Sequence, residues 1–132
     1  MIGSLLEAIS MNAVPILKSR GYKVIRIISL RERYSPETFV CVRGAEDTLH
    51  VKLKLSPNNL TNGAEIARFC YDETRIFRSL MRTNPEKSKE HYEVWVSMPW
   101  GEFTAIEVLP DMLIDQRTGA VLSQRPTGGV PA

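Results

Sequence analysis

The eight residues Thr48-Leu49-His50-Val51-Lys52-Leu53-Lys54-Leu55 alternate without exception between polar and apolar. Successive side chains of a β-strand point to opposite faces, so this run reads as a strand with Leu49, Val51, Leu53 and Leu55 on one side. Thr48, His50, Lys52 and Lys54 fall on the other. A helix would scatter both sets around its circumference. The segment therefore calls for a sheet with an apolar core on at least one face, and it sets two lysines side by side on the opposite face.

The flanking sequence supplies the rest of an α/β domain. Residues 2–20 carry Ile2, Leu5, Leu6, Ile9, Ala13, Ile16 and Leu17 at helical spacing, closed by Gly21. Pro15 predicts a break that turns residues 15–20 into a kink or a separate turn. The β-branched run Tyr22 to Ile28 and the segment Thr38 to Val42 read as two strands before the alternating one. Turn residues from Ser56 to Gly63 lead into one helix over 64–82, which Asn84-Pro85 stops. Tyr92 to Met98 and Phe103 to Leu109 flank Pro99-Trp100-Gly101 and predict a hairpin. The expected fold class is a single α/β domain over residues 1–115: a helix, a short mixed sheet with strand 48–55 central, a second packed helix and a C-terminal hairpin. Residues 116–132, rich in Gly, Pro, Ser and Thr, are expected to form a flexible tail.

Composition narrows the class of function. At 132 residues, 43% apolar and 24% charged, the chain suits one ordinary globular core. Its opening lacks the basic flank and the long apolar run of a signal peptide or a membrane span, so the expected location is the cytoplasm. Cys41 and Cys70 stand apart from each other and from any histidine at ligand spacing, which predicts buried, reduced thiols. The net charge of +2 conceals an asymmetry, with residues 1–89 carrying +6 and residues 90–132 carrying −4. Such a distribution can turn a positive face to a polyanion, or be ordinary surface charge.

Pro36-Glu37, a fourteen-residue spacer from Thr38 to Val51, and Lys52-Leu53-Lys54 stand in the order of a known motif. The order resembles that of the restriction-endonuclease-like nuclease superfamily, the PD-(D/E)XK proteins, and is most like the archaeal Holliday junction resolvases. In that family two carboxylates hold Mg²⁺ beside the scissile phosphate, and a lysine two residues beyond the second acid orients water or stabilises developing charge. By resemblance Glu37 stands for the first acid and Lys54 for the lysine. Lys52 occupies the place of the second acid, which makes the motif degenerate. Some members move the missing acid to the following helix, where Glu73 lies at the centre of the apolar face. Glu73 is then either a relocated ligand that holds Mg²⁺ with Glu37, or a structural partner of Lys52 or Lys54. The resemblance also implies a helix acid, for which Glu7 is available, although it points away from the apolar stripe. His50 could touch phosphate or simply be solvated.

The resemblance implies a domain that binds DNA or branched nucleic acid and can pair as a homodimer, with no membrane partner. Whether it is a Mg²⁺-dependent endonuclease stays open at this level, because of Lys52. Arg20, Lys23, Arg26, Arg31 and Arg33, with Lys18, form a basic segment opposed only by Glu32 and are the candidate phosphate-backbone contacts. A second stripe, Arg68, Arg75, Arg78 and Arg82, suits the same role or a solvated helix face. Trp95 reads as a core residue, and Trp100 as a turn-packing residue or a base-stacking one. The alternative reading is a protein-interaction or homodimerisation domain without nucleic-acid binding.

Overall fold

The computed structural model describes residues 2–27, 38–83, 89–99 and 103–124, with side chains from Met11 onward. The elements run α1 (Ile2–Ser19), β1 (Lys23–Ile27), β2 (Phe39–Arg43), β3 (Asp47–Leu55), α2 (Gly63–Phe69), α3 (Tyr71–Thr83), β4 (Glu90–Ser97), β5 (Phe103–Val108), β6 (Met112–Asp115) and β7 (Val121–Gln124). The seven strands form one sheet in sequence order. Neighbours pair antiparallel except β3 and β4, which run parallel from Thr48↔Glu90 to Leu55↔Ser97. Parallel neighbours need a crossover, and α2 and α3 supply it.

Both faces of the sheet are covered, which is why β4 is buried along nearly its whole length. On one face Leu49, Val51 and Leu53 of β3 pack with Ala13 and Leu17 of α1, together with Phe39, Cys41 and Trp95. On the other, Val94, Val96, Ile106 and Val108 meet Ile66, Cys70 and Phe77 of the crossover. The odd–even split of residues 48–55 thus holds, with the odd positions toward α1 and His50, Lys52 and Lys54 toward α2 and α3.

Four expectations change. Pro15 lies within a continuous α1; the single helix over 64–82 is two helices, turning at the buried Cys70. The Cys70 backbone, at φ −99° and ψ 15°, leaves the helical path while its N–H still reaches the Ile66 carbonyl. Strand 48–55 is internal, but the middle of the seven-stranded order is β4. The hairpin also continues into β6 and β7, so the sheet runs past the Asp115 boundary into the segment expected to be a tail. Asp115 makes that extension, its carboxylate accepting from the Arg117 and Thr118 N–H groups to close the turn. Among the described residues, no helix is long and apolar enough to cross a membrane.

Entry into the crossover is capped. Asn62 Oδ1 accepts from Glu65 N at 2.9 Å, and the Glu65 carboxylate reaches back to the Thr61 N–H and hydroxyl, a displaced form of the capping box. Gly63 opens α2 against β7, where a Cβ would overlap the Leu122 carbonyl. Gly63→Ala is therefore expected to destabilise the fold by about 1–3 kcal/mol, through forced separation of α2 from β7. Urea unfolding measures it, and a change within about 0.3 kcal/mol would show that β7 does not hold α2.

Candidate functional site

The polar face of β3 lies under the crossover. Lys54 Nζ is 3.0 Å from Glu73 Oε1 of α3, also donates to the Phe69 carbonyl, and lies 4.2 Å from the Phe69 ring centroid. One lysine thereby ties β3 to the end of α2 and the start of α3. Lys52, two residues earlier on the same face, is half-buried. Burial pulls its ammonium below the ordinary lysine value, with the Glu73 charge opposing and the Lys54 charge adding to the effect. Glu73 thus faces both lysines. The apolar face it was expected to centre does not enclose it fully: its side chain is 18% exposed, and Ile76, assigned to that face, is exposed.

His50 continues the row. It is not solvated: its ring stacks on Tyr92 at 4.8 Å and 11°, and Nε2 lies 2.8 Å from Glu90 Oε1. Thr38, the residue after Glu37, is bonded on both sides of Lys52: its N–H donates to the Val51 carbonyl at 2.6 Å, and its Oγ1 accepts from Leu53 N at 3.0 Å. Glu37, Arg31, Arg33 and Trp100 lie outside the described residues. Glu7 is a helical residue of α1 whose side chain is likewise not described.

The basic segment divides. Lys23 and Arg26 are exposed on the edge strand β1. Arg20 is committed to the interior, where its two terminal nitrogens reach both carboxylate oxygens of Glu93 at 2.9 and 2.8 Å. Trp95 Nε1 donates to the same carboxylate at 2.8 Å. The bond to Glu93 raises the Arg20 pKa against the opposing cost of burial. Glu93, 2% exposed, is the residue that sequence reasoning missed. Its signal was present: a lone carboxylate inside the apolar run Tyr92 to Met98 needs a buried partner.

The thiols are buried as expected, which pushes Cys41 up to about 11 and Cys70 to about 12, so both stay protonated near neutrality. Mg²⁺ demands several oxygen donors in near-octahedral order. On the β3 face the described acids are Glu73, already paired with Lys54, and Glu90, bonded to His50. Nowhere among the described residues do three His, Cys, Asp or Glu side chains gather. Among the described residues the acids of this face are thus already engaged, while Glu37 lies outside them.

No family model and no curated protein matches the chain. Among solved structures it is similar to Archaeoglobus fulgidus Hjc, a Holliday junction resolvase from an archaeal hyperthermophile, with a TM-score of 0.51. The match covers 86% of this chain and 90% of that one at 16% identity. The chain has the restriction-endonuclease-like fold of the Holliday junction resolvases, with three helices and a seven-stranded mixed sheet among its described residues.

The lowered Lys52 pKa has a consequence for stability. Between its folded value and 10.5 the unfolded chain binds more protons, so this residue makes stability rise as pH climbs through that window. Lys52→Met is expected to lose that part of the alkaline rise. Urea midpoints measured between about pH 7 and pH 10 check it, with an undiminished rise in Lys52→Met as the contrary result.

Proposed function

We propose that the chain is a nuclease-fold domain that binds DNA or branched nucleic acid through a cationic surface, its ancestral metal site degenerate. The observation that carries the reading is the Lys54–Glu73 pair at 3.0 Å with half-buried Lys52 beside it. A lysine stands where the motif needs an acid, on a fold shared with a Holliday junction resolvase. Unit charges about 4 Å apart interact by about 4 kcal/mol at an effective dielectric of 20, so the Lys52 ammonium competes with a divalent cation for the nearby carboxylates. A phosphate reverses the sign. Its negative charge favours the protonated form of Lys52 instead of competing with it.

Lys23 and Arg26, exposed on β1, are further cations for such a surface. Their phosphate contacts would give affinity without base specificity. Arg20 is not part of this surface, because Glu93 holds it. The second reading, a protein-interaction or homodimerisation domain, draws on the exposed Met11 and Ile16 of α1 and Ile25 of β1. Salt separates the two. Three phosphate contacts give a slope of about −2.7 in log K against log salt for duplex DNA, whereas an apolar contact is nearly insensitive.

The wild type is expected to bind duplex and four-way-junction DNA with that salt dependence and to show no Mg²⁺-dependent cleavage of either. Lys52→Glu places a carboxylate two residues before Lys54 and is expected to gain Mg²⁺ binding. Calorimetric titration of Mg²⁺ into both proteins, beside a nicking assay, tests the two halves. Robust wild-type cleavage that vanishes in Glu73→Gln would replace the degenerate site by one with a relocated acid.

A further inference from the structure

Helix α3 lines a second, separate site. A cavity of about 470 Å³ lies between α3 and the β6–β7 edge, bounded by Tyr71, Thr74, Arg75, Arg78 and Arg82 on the helix and by Ser123 on β7. Tyr71, Arg75, Arg78 and Arg82 follow one another at spacings of four, three and four, which places them on one helix face. Among the described residues no acidic side chain lines the cavity, and Asp72, adjacent in sequence, is not among its walls. Arg78 is fixed as a wall, its Nε donating to the Leu109 carbonyl at 2.9 Å and Nη2 to that of Met112 at 3.3 Å. Arg75 and Arg82 are exposed and form no ion pair among the described residues. Arg75 and Arg82 thus bring positive charge to the concavity, which suits an anion.

An independent feature points into the same place. Thr74 is 5% exposed, and its Oγ1 is the buried side-chain polar atom that has no hydrogen-bond partner among the described residues. A buried hydroxyl without a partner is a cost that native structures rarely retain without a reason. A helical threonine has two χ1 rotamers open to it, and one step exchanges its methyl and hydroxyl. A ligand in the cavity can therefore draw the hydroxyl to itself. Tyr71, 64% exposed at the mouth, offers a ring face on which a planar base can stack. The cavity also falls in the size range of small-ligand pockets.

We propose that this groove is a binding site for one nucleotide unit, either free or within a strand. Its phosphate sits between Arg75 and Arg82 with the Thr74 hydroxyl donating to it, and its base lies on Tyr71. The site does not depend on Lys52, which belongs to another face of the crossover.

The test titrates the full chain with 5′-AMP, inorganic phosphate and a short single-stranded oligonucleotide, followed by amide NMR shifts and calorimetry. AMP is expected to shift Thr74 and Ser123, bind more tightly than phosphate, and lose that advantage in Tyr71→Ala. The double variant Arg75→Gln/Arg82→Gln, altered only at exposed positions, is expected to weaken AMP about tenfold or more. Thr74→Val removes the unpartnered hydroxyl, so it should raise Tm by about 3 °C or more while weakening AMP. Oligonucleotide binding tighter than AMP assigns the unit to a strand, and the reverse assigns it to a free nucleotide. The proposal fails if none of the three probes shifts Thr74 and Ser123 at millimolar concentration. It fails equally if AMP affinity survives in the double arginine variant, or if Thr74→Val lowers Tm and leaves AMP binding unchanged.

Discussion

The parallel pairing of β3 with β4 is the constraint from which the candidate site follows. Antiparallel neighbours can be joined by a tight turn, but these two need the chain to cross from one end of the sheet to the other. The crossover must cover a sheet face, and α2 and α3 bury Val94, Val96 and Ile106 in doing so. The same act lays them over the even-numbered residues of β3. Lys54 is then left in partial burial, and Glu73 arrives at 3.0 Å to neutralise it. Lys52 stays half-buried two residues away with its ammonium disfavoured. The placement of these charges is therefore a product of topology.

The opposite face solves the problem of a buried charge differently. Glu93 is enclosed by α1's side of the sheet and is satisfied by a bidentate arginine and an indole N–H. Removing one member of such a cluster would strand a buried charge, at a cost of about 3–5 kcal/mol. Arg20 is thus a fastener between the end of α1 and the middle of the sheet. The two faces differ: one closes the core around an ion pair, while the other holds two lysines in partial burial beneath the crossover.

Much of this was legible in the residues. Strict alternation from Thr48 to Leu55 settled the strand and the sidedness of Lys52 and Lys54, because period-two patterning has one geometric meaning. The facing of Glu73 toward those lysines was implied by the resemblance, which offers the following helix as the place of a relocated acid. The break at Cys70 was hidden, since an apolar residue with no Gly or Pro gives no stop signal. The partner of Arg20 was hidden because its contact spans 73 positions, and local pattern reports only the basic run around it. Strand β7 was obscured by turn-rich neighbours; its place depends on Gly63, whose lack of a Cβ admits the Leu122 carbonyl. Pairing of that kind is a tertiary fact.

The most direct test of the account follows the Lys52 side chain itself by NMR of its Cε and Nζ resonances, through a pH titration with and without a short DNA duplex, and separately with millimolar Mg²⁺. Phosphate binding at this face predicts that DNA raises the Lys52 pKa and that Mg²⁺ leaves Lys52 and the Glu73 carboxyl unmoved. A Glu73 carboxyl shift that saturates with Mg²⁺, with Lys52 indifferent to DNA, would contradict it.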